Sequence, residues 1–150
     1  MNLSFTWTIC CLAILWYACG RNEKQPSLSS EIATTEQGIA FYNVENLFDT
    51  IRDYQIDDRD FLPGSALDWD SKKYFVKLQR LSSVIESLNY PVLLGMAEVE
   101  NRDVLEDLIA QENLQSAGYD IAHINSSDGR GIDCALLYRS EFFSVDKQYL

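Results

Sequence analysis

Two short apolar segments on either side of an amphipathic stretch constrain the fold of this chain more than any other feature. Residues 39–44 and 92–97 are almost wholly apolar, which is typical of buried strands. Over residues 71–89 an apolar side chain recurs every three or four positions, which predicts one helix with a single buried stripe. The stripe consists of Tyr74, Leu78, Leu81, Ile85 and Leu88. A strand, a helix and a second strand in this order indicate an α/β sheet.

The remaining segments extend this α/β pattern. A second helix is predicted at residues 102–111, and two further strands are predicted at residues 119–124 and 132–138, joined by a turn-rich hairpin loop. The segment 92–97 has the composition of a strand that is covered on both faces. Cys134 lies in the last apolar strand and is predicted to be a buried small hydrophobe. The order of these elements predicts a sheet of mixed strand direction.

The amino terminus has the features of an export signal. Its first 18 residues carry no charged side chain and are shorter than the roughly 20 residues that a membrane-spanning helix needs. They end in Ala18, and Cys19, Gly20 and then polar residues follow, which resembles a bacterial lipoprotein leader. We therefore predict a signal peptide at 1–18, lipidation of Cys19, a solvated linker at 19–37 and a folded domain at 38–150. We predict that the protein is exported to the periplasm or cell envelope and is held to a membrane through the lipid on Cys19. The alternative is that residues 1–18 form an uncleaved signal anchor.

The chain is strongly acidic, with 23 Asp and Glu against 12 Lys and Arg and a net charge of −11. A surface of this charge repels nucleic acid and anionic lipid at long range, so a cation is needed if the protein acts on a phosphate ester. Eight acidic residues fall in residues 45–70, which we expect to form a solvated loop; residues 45–60 lack the regular Asp spacing of a calcium-binding EF-hand. The cationic residues of the first predicted helix are expected on its solvated face; they are Lys72, Lys73, Lys77 and Arg80.

Polar side chains stand where the apolar strands end, and α/β sheets place ligand sites at such strand ends. Asn43 lies near the end of the first apolar segment, and Glu98 follows the second. A lone carboxylate is costly to bury, but it is a good ligand for a hard cation, and Mg²⁺ binds one or two carboxylates while keeping several waters. An amide such as Asn43 can orient a phosphate or a metal-bound water without adding charge. From the residues alone, two alternatives to a ligand site remain: Glu98 is a surface carboxylate that flanks a helix, and Asn43 is a turn residue that ends a strand.

Three motifs resemble the endonuclease/exonuclease/phosphatase superfamily, and most nearly its secreted bacterial members described as endonucleases. The motifs are Asn-Val-Glu-Asn-Leu-Phe-Asp at 43–49, Ala-Glu-Val-Glu-Asn at 97–101 and Arg-Gly-Ile-Asp-Cys-Ala-Leu-Leu-Tyr-Arg at 130–139. The resemblance implies a deoxyribonuclease-I-like four-layer αββα sandwich, in which two mixed sheets pack face to face with helices outside. It also implies hydrolysis of phosphodiester bonds that depends on Mg²⁺ or Mn²⁺.

The resemblance assigns roles to three residues. Asn43 matches the asparagine that positions the phosphate and the water shell of the metal, and Glu98 matches the metal-binding glutamate. Arg130 is assigned a contact with the substrate phosphate. His123 lies near the same hairpin, but the catalytic base of the family is a histidine in a Ser-Asp-His-like motif that this sequence lacks, as it lacks the Gly-Asp-Phe-Asn-like segment.

Two classes of function are compatible with these observations. In the first, the chain is the N-terminal part, about half, of the domain of a divalent-metal-dependent phosphodiester hydrolase, inactive by itself. Its substrate is a phosphodiester, which includes nucleic acid; the sequence does not distinguish DNA, RNA and smaller phosphodiesters. In the second, the chain is a lipid-anchored module that binds a partner without catalysis or is vestigial. The first class is favoured by the order and spacing of the three motifs.

Overall fold

The computed structural model describes residues 37–149. The predicted signal peptide at 1–18, the predicted lipidation site Cys19 and all but the last residue of the predicted linker lie outside the described residues. In the described part of the chain, no helix has both the length and the apolarity needed to span a membrane. The elements are β1 (Ile39–Leu47), α1 (Ser71–Ser87), β2 (Leu93–Val99), α2 (Arg102–Ile109), β3 (Tyr119–His123) and β4 (Asp133–Arg139), with single-turn 3-10 helices at Arg59–Phe61 and Gln115–Ala117.

The four strands form one sheet in the order β1-β2-β4-β3. β1 and β2 run parallel, with Asn43 opposite Ala97, because α1 connects them as a crossover helix. β4 runs antiparallel to both β2 and β3. The predicted α/β class with a mixed sheet and flanking helices is confirmed, and the arrangement corresponds to one half of a four-layer sandwich.

The first helix begins where its sequence predicts and ends earlier. The Asp70 side chain caps α1 by accepting a hydrogen bond from the Lys73 backbone N–H at 2.8 Å. α1 ends at Ser87 because Asn89 and Tyr90 adopt positive φ angles of 57° and 52°. The predicted stripe is correct for its first four members, which are buried, but wrong for Leu88, which is 45% exposed.

Both helices pack against the same face of the sheet. The core contains Leu78 and Ile85 of α1, Leu105 and Leu108 of α2, and Met96 of the sheet. α2 is capped by Asn101, whose side chain accepts from the Val104 N–H at 3.0 Å, and it ends two residues before the predicted position. Each helix therefore buries one apolar stripe against the sheet.

Within the described residues, the opposite face of the sheet is largely uncovered. Ile39 is 74% exposed and Phe41 is 70% exposed, so the prediction of a buried first strand is wrong for this face. Cys134, predicted to be buried, is exposed for the same reason. Side chains alternate between the two faces of a strand, and the helices cover only the face that carries Val44 and Leu94. The expected covering of both faces of residues 92–97 is therefore not found in the described part of the chain.

The acidic loop is more ordered than a solvated surface loop. Asp58 is buried, forms an ion pair with Arg52 and accepts a hydrogen bond from the Asp53 N–H at 2.7 Å. The Asp57 N–H donates to the Gly129 carbonyl at 3.0 Å, which joins the acidic loop to the hairpin loop between β3 and β4. The expectation of a wholly solvated loop is therefore wrong, because part of its charge is paired and buried.

The contact between these two loops leads to the first prediction. Gly131 has a φ of 69°, and an added Cβ would lie 2.2 Å from Cδ1 and 2.9 Å from Cβ of Ile56. We expect Gly131→Ala to lower the free energy of unfolding by about 2 kcal/mol, since a left-handed alanine alone costs roughly 1–2 kcal/mol. Gly129→Ala is the control, because its Cβ would meet no atom within 4 Å. Urea denaturation measures both, and an equal effect of the two substitutions would contradict the assigned contact.

Candidate active site

The structure brings two of the predicted site residues into direct contact. Asn43 and Glu98 are 55 positions apart, but the parallel pairing of β1 and β2 places them side by side, where the regular register of the two strands stops. β1 continues to Leu47, so Asn43 lies in the middle of this strand and not at its end. The Asn43 Nδ2 donates to Glu98 Oε1 at 2.8 Å. Glu98 lies near the carboxyl end of β2, the location at which α/β sheets place ligand sites.

Irregular backbone at both strand ends orients this pair. The register shifts between Asn43 and Leu47 on β1 and, in the pairing with β4, between Ala97 and Val99 on β2. At these shifts Glu45, Asn46 and Glu98 have φ angles of 54°, 62° and 64°, a conformation that side chains other than glycine rarely adopt. Such strain persists only where surrounding contacts hold it, and it often marks functional sites.

Two side chains hold the irregular end of β1. The Asn43 Oδ1 accepts a hydrogen bond from the Glu45 N–H at 2.8 Å. The Lys77 Nζ, reaching from α1, donates to the carbonyls of Glu45 at 2.5 Å and Asn46 at 2.9 Å. Burial lowers the pKa of Lys77, while the charges of Glu45 and Glu98 oppose this shift. Lys77 was expected on a solvated face, so its role at the strand end is one that the sequence analysis missed.

Glu98 opens onto a cleft of about 730 Å³ that runs along the uncovered face of the sheet. Ala97, Cys134 and Leu136 form part of its floor. Among residues 37–149, the hydrogen bond from Asn43 is the one polar contact of the Glu98 carboxylate, which leaves Oε2 for a ligand. No group of three or more His, Cys, Asp or Glu side chains suited to a metal ion occurs in the described residues. A single carboxylate beside an amide fits Mg²⁺ better than a metal that requires a full protein cage, because Mg²⁺ retains waters and accepts phosphate oxygens.

Arg130 lies on the hairpin loop and is not in contact with Asn43 or Glu98 in the described structure. Its side chain is 73% exposed and forms a two-pronged ion pair with Asp128, with Nε–Oδ1 at 3.0 Å and Nη2–Oδ2 at 2.6 Å. These hydrogen bonds lower the pKa of Asp128 to about 2 and raise the pKa of Arg130. Asp128 lines the cleft, so a phosphate that reaches Arg130 has to compete with this carboxylate.

His123 is part of a buried pair that the sequence analysis missed. Its side chain is 2% exposed, and Nε2 lies 3.1 Å from Asp133 Oδ2. The other oxygen of Asp133 accepts the Ser126 N–H at 2.8 Å. The pair therefore anchors the hairpin loop to the ends of β3 and β4. Asp133 could have been found from the same sequence pattern as Glu98, because each is a carboxylate at the boundary of an apolar strand.

Glu100 is a second buried carboxylate near the site. It accepts the Asp49 N–H at 2.8 Å, and its own N–H donates to the Leu47 carbonyl at 3.0 Å. Burial raises the pKa of Glu100 to about 7, and the nearby charges of Asp49 and Asp53 add to the shift. Glu100 thus ties the start of the acidic loop to the end of β2.

Comparison with known proteins identifies the family of this chain. The family model described as the endonuclease/exonuclease/phosphatase family matches residues 38–149. Neither the curated proteins nor the solved structures gave a significant match. The family model covers most of the chain and contains all three motifs at residues 43–49, 97–101 and 130–139. The chain belongs to the endonuclease/exonuclease/phosphatase family, a family of phosphodiesterase- and nuclease-type hydrolases.

Proposed function

We propose that this chain contributes the metal-binding and phosphate-orienting part of a divalent-metal-dependent phosphodiester hydrolase of the endonuclease type. The observation that carries the proposal is the hydrogen-bonded pair of Asn43 and Glu98, which lies where the regular pairing of β1 and β2 stops, with Glu98 lining an open cleft. Family membership supports the reaction class. The export and lipid anchoring predicted for Cys19 would place this activity in the cell envelope.

Each residue has a definite role in this proposal. Glu98 would hold Mg²⁺ or Mn²⁺ through its free oxygen, while Asn43 keeps the carboxylate oriented. A bound metal ion would neutralise negative charge on the phosphodiester and stabilise the charge that develops during its hydrolysis. Asn43 also offers its amide to the phosphate or to an ordered water. Arg130 supplies a positive charge at the cleft edge once a phosphate displaces Asp128 from it.

Metal binding by Glu98 is the first test of the proposal. We expect Glu98→Gln to weaken the binding of Mn²⁺ at least tenfold, because the substitution removes the one charged ligand identified at the site among residues 37–149. Electron paramagnetic resonance of free Mn²⁺ measures the affinity of the chain for Mn²⁺. Competition between Mg²⁺ and bound Mn²⁺ measures the affinity for Mg²⁺.

The matched control is Glu106→Gln, which removes a carboxylate of the same type from the surface of α2, where it pairs with Arg102 at 2.8 Å. The control is expected to leave the Mn²⁺ affinity unchanged. Equal affinities of the native chain and the Glu98→Gln variant would refute the assignment of Glu98.

Phosphodiester recognition is tested separately, by binding, because the motif of the catalytic base is absent from this sequence. With Mn²⁺ at saturation, the phosphorus resonance of bis-p-nitrophenyl phosphate should broaden through its proximity to the metal. Asn43→Ala should reduce this broadening severalfold. Asn113→Ala should not, because it removes an amide that lies after α2 and donates to Glu86 of α1. Broadening that is identical in the native chain and the Asn43→Ala variant would exclude a phosphate-orienting role for Asn43.

A further inference from the structure

The hairpin loop between β3 and β4 contains a chemically labile peptide bond. Asp128–Gly129 is the single Asp-Gly pair of the sequence, which contains no Asn-Gly pair. Glycine has no Cβ, so its backbone nitrogen meets little steric hindrance when the carboxyl carbon of the preceding residue approaches it. Gly129 is exposed, and an added Cβ would meet no atom within 4 Å. The surroundings of this peptide bond therefore leave room for a change in its covalent structure.

The Gly129 nitrogen lies within a turn that its own N–H does not help to hold. Among residues 37–149, the Gly129 N–H donates to no acceptor. The Asp128 Oδ1 accepts the Arg130 N–H at 2.9 Å, so the Asp128 carboxyl closes an Asx turn around the Gly129 nitrogen. This nitrogen and the Asp128 carboxyl carbon thus belong to one small hydrogen-bonded ring.

The side chain of Arg130 holds the same carboxyl in its ionised form. Nε donates to Oδ1 at 3.0 Å and Nη2 donates to Oδ2 at 2.6 Å, so both oxygens are engaged and the carboxylate plane is fixed. These hydrogen bonds lower the pKa of Asp128 to about 2. An ionised carboxylate is a poor electrophile, because it carries no hydroxyl group that can leave as water. Arg130 therefore opposes attack on the Asp128 carboxyl carbon.

In the described part of the chain, the two cavities that Asp128 lines contain no lysine or arginine that could replace Arg130. Their acidic side chains besides Asp128 are Asp53, Glu98, Glu100 and Asp133, and Asp133 pairs with His123. Negative charge near a carboxyl favours its neutral form. Loss of the Arg130 side chain would therefore leave the Asp128 carboxyl among groups that promote its protonation.

We propose that Asp128–Gly129 is a site of spontaneous isoaspartate formation and that Arg130 suppresses this reaction in the folded chain. The Gly129 nitrogen bonds to Cγ of the protonated Asp128 carboxyl, and the carboxyl hydroxyl leaves with the N–H proton as water, which gives a cyclic imide. Water then adds to one of the imide carbonyls. Cleavage of the bond from nitrogen to Cγ restores aspartate, and cleavage of the bond to the main-chain carbon gives isoaspartate. The reaction needs no metal, oxidant or reductant, so the proposal goes beyond the proposed function and is independent of it.

Isoaspartate would open the contact between the hairpin loop and the acidic loop. Its main chain runs through Cβ and Cγ of residue 128, which lengthens the loop by one methylene group before Gly129. The Gly129 carbonyl accepts the Asp57 N–H at 3.0 Å, and this hydrogen bond joins the two loops. We expect the Asp57 N–H to exchange with solvent faster in the modified chain, because the bond that protects it is lost.

The test follows isoaspartate at residue 128 in folded chains held in EDTA at pH 6 over several weeks. Chymotryptic peptides are analysed by mass spectrometry with electron-transfer fragmentation, which distinguishes isoaspartate from aspartate. Arg130→Gln should form isoaspartate at least about tenfold faster than the native chain, because an Asp128 pKa near the ordinary 3.8 raises the neutral fraction of the carboxyl. Adding Gly129→Ala to Arg130→Gln should remove most of this gain, since the alanine Cβ hinders the attack and fits the loop.

Arg59→Gln is the matched control. Arg59 holds Asp57 in the same two-pronged way, with Nε–Oδ1 at 2.6 Å and Nη2–Oδ2 at 2.9 Å, but an aspartate and not a glycine follows Asp57. This variant should gain isoaspartate neither at residue 57 nor at residue 128. Circular dichroism establishes that each variant is folded. Arg130→Lys, which keeps the charge and loses the two-pronged pair, is a second variant and should react at an intermediate rate.

A further arm repeats the incubation in urea, where the pair of Arg130 and Asp128 is lost. The native chain and Arg130→Gln should then form isoaspartate at similar rates. Equal rates of these two chains in the folded state would overturn the proposal, and so would a difference that persists in urea, because that difference would come from the sequence and not from the fold. Absence of isoaspartate at residue 128 from every folded chain would overturn it as well. Glu98→Gln should react at the native rate, whether or not Glu98 binds metal.

Discussion

Replacing Leu78 with alanine is expected to lower the free energy of unfolding by about 3–5 kcal/mol. Leu78 is fully buried on α1, within the core that joins the helices to the sheet. Truncation of such a side chain costs the transfer free energy of the removed atoms and leaves a cavity. Urea denaturation followed by circular dichroism measures the change.

Leu88→Ala is the matched control for this prediction. Leu88 belongs to the same apolar periodicity, but it lies past the end of α1 and is largely exposed. Its truncation should cost less than about 1 kcal/mol, because little apolar surface is returned to water. Similar losses for Leu78→Ala and Leu88→Ala would contradict the packing described for α1.

The second large effect is a pH dependence of stability that arises from Glu100. Its pKa is about 7 in the folded chain, against 4.5 for an exposed glutamate. Between these values the folded state holds a proton that the unfolded state has released. The free energy of unfolding therefore falls as the pH rises from 4.5 through 7, and the loss is complete above 7. We expect the loss to be about 2–3 kcal/mol.

Glu100→Gln should abolish this part of the pH dependence. Glutamine remains neutral and retains an oxygen that accepts the Asp49 N–H. The variant should match the native chain at pH 4 and exceed its stability by about 2–3 kcal/mol at pH 8, in buffer containing EDTA. Glu106→Gln, which alters an exposed carboxylate of α2, should show no such divergence. If the native chain were equally stable at both pH values, the raised pKa assigned to the buried Glu100 carboxyl would be wrong.

Much of the secondary structure was predictable because it depends on neighbouring residues. The period of three and four in Tyr74, Leu78 and Leu81 identified α1. The same periodicity failed at Leu88, because apolar spacing does not record the left-handed backbone of Asn89 and Tyr90 that ends the helix.

The sequence predicted which residues belong to the candidate site, but not which contacts those residues make. Asn43 and Glu98 were found as polar residues at strand ends, and the parallel pairing of β1 and β2 brings them within hydrogen-bond distance. Arg130 was assigned from resemblance, and its pairing with Asp128 comes from the conformation of the hairpin loop. In the sequence, Lys77 is one of several lysines expected on the solvated face of α1. Its neighbours in sequence do not show that α1 places its ammonium group against the end of β1.

The sequence by itself determined the order of strands and helices, the α/β class, most of the buried stripe of α1, and the family. These properties follow from short-range periodicity and from contiguous motifs. Only the tertiary structure decided which face of the sheet is open, which carboxylates are buried and which cations are paired. Exposure of Cys134, burial of Glu100 and the contact of Lys77 with β1 all depend on elements distant in sequence, because the surroundings of a side chain are set by whatever the fold packs against it.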